Sequence, residues 1–171
     1  KVNAANISLD GKLSNPIKGG EGNVKVLSTG IFSSANAGDE STSSSVGNAG
    51  TVNVTAGQLQ MSNAAQISSS AYAKGKAGEV NVNASKIRVE SNAIISSEAG
   101  AASSGYTGNV NIKATDSMNL DQGILSIRNA AQVSADKLPA KTLLAIDAAD
   151  ITLQQAQISA SASGNVAASD I

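Results

Sequence analysis

The sequence repeats a short motif in which apolar and polar residues alternate. Gly50-Thr-Val-Asn-Val-Thr-Ala56 recurs as Gly78-Glu-Val-Asn-Val-Asn-Ala84 and as Gly108-Asn-Val-Asn-Ile-Lys-Ala114, so the glycines lie 28 (78 − 50) and 30 (108 − 78) residues apart. A copy without the glycine begins at Leu144, and an earlier one begins at Gly22. Alternation with period two indicates a strand that turns one face inward. A period near 30 residues indicates a solenoid, in which each repeat is one structural unit.

Two more apolar pairs follow each motif and complete the unit. The second pairs are Leu59/Met61, Ile87/Val89 and Ile151/Leu153, and the third are Ala65/Ile67, Ala93/Ile95, Ala131/Val133 and Ala156/Ile158. Each unit of 28 to 30 residues is therefore predicted to hold three short strands. One unit cannot bury its apolar face alone, but parallel copies stacked about 4.8 Å apart can. The sequence predicts an all-β fold, a right-handed parallel β-helix.

In such a rod, equivalent apolar residues form columns in the interior. The predicted columns are Val52, Val80, Val110 and Leu144; Val54, Val82, Ile112 and Ile146; Leu59, Ile87 and Ile151; and Ile67, Ile95, Val133 and Ile158. Helical repeats of similar length would need apolar residues at i, i+3, i+4 and i+7, which the alternating segments do not supply.

The repeat also predicts how the chain is divided. We expect one β-helix segment over 1–171, as a piece of a longer protein, with the following coils: a partial coil at 1–21, a shortened coil at 22–49, regular coils at 50–77 and 78–107, a coil with an insertion (Thr115 to Gly123) at 108–141, and a last coil at 142–171.

Composition limits the function. The chain has one Phe, two Tyr, and no Trp, His or Cys, and its formal net charge is −1. Thiolate zinc sites and disulfides are therefore excluded, as is a serine nucleophile with a histidine base. Neither the net charge nor the few aromatic rings favour nucleic acid as a partner, and no apolar run is long enough to cross a bilayer.

Carboxylates are the remaining candidates for chemistry. They occur close together as Asp39 and Glu40, Asp116 and Asp121, and Asp147 and Asp150. A glycosidase needs two carboxylates on either side of the scissile bond, one of them with a raised pKa. The alternation predicts that Asp147 faces solvent, in one outward column with Lys113, so solvated ion pairs are the favoured interpretation and calcium binding a weaker one. We assign no catalytic residue, metal ligand or cofactor.

The two tyrosines are the candidate surface contacts. Tyr72 and Tyr106 occur in the Ser/Ala/Gly-rich segments that precede Gly78 and Gly108. We expect them at corresponding places on one edge of the rod, where they either contact a ligand or neighbouring rod, or cover the coil.

The segment from Gly47 to Ala56, with Leu59-x-Met61-x-Asn63-Ala-Ala-Gln-Ile67 and Gly75-Lys-Ala-Gly78, resembles the repeat region of filamentous haemagglutinin-like exoproteins of the cyanobacterial variety. The resemblance covers roughly residues 22–171. It implies a right-handed β-helix that is secreted or attached to the cell surface, and a two-partner export system with an outer-membrane protein.

These expectations lead to a non-enzymatic function. The predicted role is a structural or adhesive extracellular rod, a shaft or fibre segment, with three partners: itself or flanking coils of the parent chain through end-to-end stacking, a cell-surface glycan or neighbouring cell, and the secretion protein. Two alternatives stay open: a polysaccharide lyase or hydrolase on the same scaffold, and a delivery stalk for a C-terminal toxin.

Overall fold

The computed structural model describes residues 1–12, 17–18, 24–25, 29–35, 47–133, 142–163 and 165–171. Within these ranges the chain forms strands and contains no helix. The strands are β1 (Val2–Asp10), β2 (Ile17–Lys18), β3 (Val24–Lys25), β4 (Gly30–Ala35), β5 (Val52–Ser62), β6 (Gln66–Ala71), β7 (Val80–Glu90), β8 (Ile94–Ala99), β9 (Val110–Asp121), β10 (Ile124–Asn129), β11 (Leu144–Gln154) and β12 (Gln157–Ala162).

Ten of these strands form two parallel sheets of five. The long-strand sheet has the order β1-β5-β7-β9-β11, and the short-strand sheet has the order β4-β6-β8-β10-β12. Successive strands of one sheet are always separated along the chain by a strand of the other, so the chain winds from sheet to sheet. The molecule is a parallel β-helix, and the fold class expected from the sequence is confirmed.

The register stacks like residues on like residues inside the rod. Val80 pairs with Val52 on one side and with Val110 on the other, and Val110 pairs with Leu144. These four side chains are at most 5% exposed. The next column contains Val54, Val82, Ile112 and Ile146. Full burial of one such aliphatic side chain contributes about 1.5–3 kcal/mol, so the columns are the main source of stability.

Each coil has two strands rather than the three expected. The first two apolar pairs of a unit lie on one continuous strand, such as β5, and only the third pair forms a separate one. The offset from Val52 to Leu59 is seven, an odd number, so strict alternation would turn Leu59 outward. The strand corrects its phase at Gly57: Ala56 pairs with Ala84 and Gln58 with Lys86, while the residue between them is skipped. Because only one residue is skipped, the strand bends at this point and continues, and no turn separates the two apolar pairs.

The fourth column contains Leu125 and not Val133. Leu125 pairs with Ile95 on one side and with Ile158 on the other. Val133 lies beyond the end of β10 and is half-buried. The reason is local: Leu125-Ser-Ile127 is the first alternating pair after the turn at Gln122, so it enters the sheet. Asn63–Ile67 and Asn129–Val133 are similar in sequence, but Ile67 shares its column with Leu125 and not with Val133.

The insertion also lies elsewhere. The predicted insertion from Thr115 to Gly123 is mostly strand β9, with a single extra residue between Ala114 and Ser117, which pair with Ala84 and Lys86. A one-residue bulge absorbs it. The extra residues of this unit lie instead between β10 and β11, at 130–143. The corresponding connection between β6 and β7 is shorter, at 72–79.

Strand β3 adds to neither of the two parallel sheets. β3 pairs antiparallel with β2 in a separate two-stranded sheet, and β1 and β4 together supply one coil. The shortened coil expected at 22–49 stays a prediction, since most of its residues lie outside the described ranges. An alternating Val-Lys-Val segment fits a hairpin as well as a solenoid strand, because both require only period two.

The third side of the rod has no strand among the described residues but remains stacked. Ala77 N donates to Tyr106 O at 2.8 Å, and Ala49 N donates to Lys76 O at 2.8 Å. Buried serines of the short-strand sheet tie this side to the interior. The Oγ of Ser69 accepts from Gly78 N and donates to Gly50 O, both at 2.9 Å, and Ser97 repeats the arrangement with Gly108 and Gly78. We call this network the serine–glycine ladder.

Candidate contact surfaces

The outer face of the long-strand sheet carries a polar groove of about 600 Å³. Two outward columns border it, one on each side of the buried column that contains Leu59. The columns are Asn6, Gln58, Lys86, Ser117 and Asp150; and Ser8, Gln60, Arg88, Asn119 and Thr152. A polar or charged side chain thus occurs about every 4.8 Å along each column; the two cations both belong to β7, and Asp150 adds a carboxylate.

The cations lie at the middle of the groove. Lys86 and Arg88 are alternate residues of β7, which has two strands on each side of it in the sheet. Lys86 Nζ lies 3.4 Å from Asp116 Oδ2, and an Arg88 guanidinium nitrogen lies 3.0 Å from Glu90 Oε1. Lys86, Arg88 and Asp116 have side chains more than half exposed. Exposed pairs are worth at most about 1 kcal/mol, so both cations can exchange their partners for a ligand at low cost.

One acceptor at the groove is unsatisfied. Asn119 Oδ1 is buried and has no hydrogen-bond partner in the described part of the chain. The neighbouring amides of the sheet differ in this respect. Asn81 Nδ2 donates to Asn53 Oδ1 at 3.1 Å, and Asn111 Nδ2 donates to Asn81 Oδ1 at 2.8 Å. The Asn53–Asn81–Asn111 column is therefore a structural ladder, whereas Asn119 lies outside any such ladder.

Two of the carboxylates considered for catalysis, Asp116 and Asp147, lie in exposed ion pairs. Asp147 pairs with Lys113 at 2.6 Å, as the shared column predicts, and its side chain is 72% exposed. Asp116 pairs with Lys86. Asp39 and Glu40 lie outside the described residues. Within the described ranges there is no group of three or more carboxylate, histidine or cysteine side chains able to hold a metal ion.

The two tyrosines occupy different places rather than corresponding ones. Tyr72 directly follows β6, and its ring lies against Gly100 of the next coil. Tyr106 lies late in its segment, four positions before β9 begins, with Lys76 Nζ 4.5 Å from its ring centroid. The sequence already shows this difference: Tyr72 precedes Gly78 by six residues, whereas Tyr106 precedes Gly108 by two.

Tyr72 belongs to a polar cluster that crosses three coils. Its hydroxyl donates to Glu98 Oε2 at 2.9 Å, and Arg128 donates to Glu98 Oε1 at 2.7 Å. Desolvation by partial burial raises the pKa of Tyr72 above its usual value of 10.0, and the hydrogen bond to Glu98 raises it further. The cluster contains one carboxylate and a phenol that stays protonated at neutral pH. It therefore stabilises the surface of the short-strand sheet and provides no acid–base pair.

Among the described residues, inward side chains of the outermost strands are more exposed than their counterparts in the middle of the sheets. We call β11 with β12 the last edge, and β1 with β4 the first edge. At the last edge Ile151 and Leu153 are 47% and 53% exposed, whereas Met118 and Leu120, their partners in β9, are at most 1% exposed. At the first edge the inward Ile31 of β4 is half-buried, whereas Phe32, which is 42% exposed, lies on the outward face of that strand.

The groove residues were not singled out from the sequence. The sequence predicts separate strands for the first two apolar pairs of a unit, and Gln58 and Lys86 lie between those predicted strands. The available signal was the local alternation Gln58-Leu59-Gln60-Met61: with Leu59 inward, Gln58 and Gln60 point outward on either side, and Lys86 and Arg88 do the same around Ile87.

Comparison of the chain with protein-family models, with curated proteins and with solved structures found no match. None of the described segments is a helix long and apolar enough to cross a membrane.

Proposed function

We propose that this chain is a shaft segment of an extracellular, filamentous haemagglutinin-like adhesin, with a structural and adhesive role and no catalytic turnover. The observation that carries the proposal is the polar groove on an uninterrupted parallel sheet. It presents polar or charged side chains on coil after coil, which suits an extended polymer rather than a small molecule.

The groove suits a polysaccharide for chemical reasons. Its amides and hydroxyls, such as Gln58 and Ser117, can both donate and accept hydrogen bonds, as sugar hydroxyls do. Lys86 and Arg88 are ion-paired with Asp116 and Glu90, and the acid groups of a sugar chain can replace these carboxylates, since a guanidinium can hold a carboxylate or sulfate through two hydrogen bonds. We therefore propose an acidic polysaccharide of a cell surface as the contact.

Binding of polygalacturonate, with dextran as the neutral comparison, tests the contact. We expect retardation of the chain in an affinity gel that contains polygalacturonate, and a loss of at least tenfold in affinity for Lys86→Gln/Arg88→Gln. The matched control is Lys74→Gln/Lys113→Gln, which removes the same charge from exposed residues outside the groove. Equal losses in the two variants, or no binding by the parent chain, would refute a specific groove contact.

The same incubation separates the alternative enzyme from the adhesin. A lyase or hydrolase shortens the polysaccharide and raises the number of reducing ends, whereas an adhesive rod leaves its length unchanged. The proposed location needs its own measurement: antibodies against the chain should label intact producing cells, and this label should disappear after brief treatment of the cells with protease. Antigen found solely after the cells are lysed would contradict the location.

A further inference from the structure

We propose that Asp116, the extra residue in the bulge of β9, competes with the acidic groups of a ligand for Lys86, and thereby sets how tightly the polar groove holds an anionic chain. The inference rests on the proposed function, because it concerns the same groove. Lys86 is the cation that changes its partner, and Asp116 is the carboxylate that it leaves.

The bulge distinguishes β9 from the other four strands of the long-strand sheet. Each of those strands has one residue without a partner in register at the bend, and this residue is small: Ala5, Gly57, Ser85 and Ala149. β9 has two residues at that place, Thr115 and Asp116. Among the five strands, β9 alone therefore brings a charged side chain to the bend, beside the groove.

The register shows what the bulge does to Asp116. Ser117 pairs with Lys86, and Met118 follows in the buried column of Ile87. Without the bulge the same sequence would slip by one residue, which would bring Asp116 level with Lys86 and turn Ser117 into the interior. The bulge keeps a hydroxyl in the lining of the groove and holds the carboxylate next to it, as bulges beside binding sites commonly redirect a side chain.

The contact between Lys86 and Asp116 is the loosest of the four side-chain ion pairs among the described residues. Lys86 Nζ lies 3.4 Å from Asp116 Oδ2, and both side chains are 56% exposed. The other three pairs are 2.6 to 3.0 Å long and also have the geometry of hydrogen bonds. A long, exposed pair opens at low cost, so an incoming acid group can take the place of Asp116.

The neighbouring cation of the groove, Arg88, is held more firmly. Arg88 Nε donates to Glu90 Oε1 at 3.0 Å, and a second guanidinium nitrogen lies 3.0 Å from the same oxygen. The Glu90 side chain is only 23% exposed, and Glu90 pairs in register with Asp121, another carboxylate. Moving Arg88 away would leave two like charges on paired strands, which is destabilising. Exchange of partners is therefore easier at Lys86 than at Arg88.

The position of Asp116 makes its contact with Lys86 an alternative to ligand binding. Lys86 and Ser117 line the groove, and Asp116 lies beside it, one residue before Ser117. A lysine ammonium is a compact charge on a flexible four-carbon stem. It can reach Asp116 beside the groove or a carboxylate or sulfate inside it, and the two contacts draw on the same charge.

The competition has a modest and directional effect on binding. The free energy of an exposed ion pair corresponds to about two- to fivefold in an equilibrium constant, so Asp116 should weaken the binding of an acidic chain by about that factor. A neutral chain has no group that competes with Asp116, so its binding should not respond. Asp116 thus lowers the preference of the groove for acidic over neutral polysaccharides.

Asp116→Asn removes the competing charge and keeps the bulge. Its dissociation constant for polygalacturonate should fall below that of the parent chain by the same factor, about two- to fivefold. The matched control is Asp147→Asn, which removes one charge from the exposed pair with Lys113, outside the groove, and should leave the constant nearly unchanged. An equal gain in both variants would show an effect of net charge and overturn the inference.

Two further variants assign the effect to the contact with Lys86 and to the carboxylate. In Lys86→Gln, the addition of Asp116→Asn should give no further gain, because there is no longer an ammonium to release. Deletion of Asp116 leaves Thr115 as the single unpaired residue of β9, as Ser85 is in β7, and it should tighten binding as Asp116→Asn does. A gain that persists in Lys86→Gln, or one seen with the deletion alone, would contradict the competition.

Inorganic sulfate separates failure of this inference from failure of the proposed function, because it requires no polysaccharide. In a sulfate titration followed by nuclear magnetic resonance, the side-chain signals of Lys86 should reach their midpoint at a lower concentration in Asp116→Asn than in the parent chain. The signals of Lys113 should not show this difference. If this result is obtained while neither chain binds polygalacturonate, the proposed polysaccharide is wrong and the competition by Asp116 stands. Equal midpoints, or no binding of sulfate at Lys86 in either chain, would overturn the inference.

Discussion

At the scale of the residue, the interior serines explain why glycine recurs at the start of the repeat. Ser97 Oγ accepts a hydrogen bond from Gly108 N at 2.9 Å and donates one to Gly78 O at 3.2 Å. The next residue of this column is Ile127, and the coil that follows it begins at Leu144 without a leading glycine. Serine and glycine therefore occur together and are lost together.

Replacing Ser97 by alanine should destabilise the chain by about 1–3 kcal/mol, because it leaves two buried backbone groups without a partner. Chemical denaturation followed by circular dichroism measures the free energy of unfolding. Ser96, the preceding residue, is half-buried and outside the ladder, and its replacement by alanine should change that free energy by less than about 0.5 kcal/mol. Equal effects of the two substitutions would show that the ladder contributes nothing.

The raised pKa of Tyr72 gives a second prediction at this scale. In Tyr106→Phe, Tyr72 is the only tyrosine, so its ionisation can be followed by ultraviolet absorbance. The midpoint should lie above 10.0, because partial burial and the hydrogen bond to Glu98 disfavour the phenolate. Adding Glu98→Gln should bring the midpoint back toward 10.0 without reaching it, since the desolvation remains.

The same shift determines how Tyr72 affects stability with pH. The folded state holds the phenol proton more tightly than the unfolded chain does, so the contribution is complete below the unfolded pKa, near 10. It is lost as the pH rises through the folded pKa. A midpoint at or below 10 in Tyr106→Phe would contradict the described environment of Tyr72.

At the scale of the element, the third side of the rod depends on close contact between backbones. A Cβ added at Gly78 would lie 2.4 Å from Gly50 O and 2.7 Å from Gly50 C, whereas one added at Gly47 would have no heavy atom within 4 Å. The first glycine is required by the stacking of the coils, and the second is not.

Gly78→Ala should therefore lower the free energy of unfolding by about 1–3 kcal/mol, as overpacking does in a close-packed interior. Gly47→Ala is the matched control and should be neutral within about 0.5 kcal/mol. Thermal or urea unfolding of the two variants measures the difference. A neutral Gly78→Ala would mean that neighbouring coils are farther apart on this side than described.

The strands and their stacking could largely be predicted from the sequence, and each wrong assignment has a local cause. The strict alternation in Val52–Ala56 and its two copies is enough to place β5, β7 and β9 side by side in register. The fourth column was misassigned because Leu125 and Val133 both open plausible pairs, and only the length of the turn at Gln122 decides between them. The merging of two predicted strands into one depended on a bend at Gly57, which period two alone does not reveal.

The polar groove was harder to predict than the core. Burial imposes a repeated residue type on an interior column, so the valines and isoleucines are recognisable in the sequence. Outward columns are under no such constraint: one of them contains Asn6, Gln58, Lys86, Ser117 and Asp150 in succession. Only the three-dimensional register brings these different residues together.

At the scale of the whole molecule, stability and shape follow from contact between neighbouring coils. Each strand pairs only with its counterparts before and after it in the sheet, so a coil is stabilised by its two neighbours, and the rod extends by repetition. The same arrangement produces the extended groove along the side.

Cysteine cross-linking tests the stacking most directly, because the chain contains no cysteine of its own. Thr55 pairs with Asn83 in the neighbouring coil, on the outward face. Thr55→Cys/Asn83→Cys should form a disulfide under mild oxidation, since paired strands hold Cα atoms within the roughly 4.4–6.8 Å that a disulfide spans. The offset pair Thr55→Cys/Asn81→Cys should stay reduced under the same conditions. Rapid oxidation of the offset pair, with the aligned pair still reduced, would contradict the stacking of like residues on which the whole account rests.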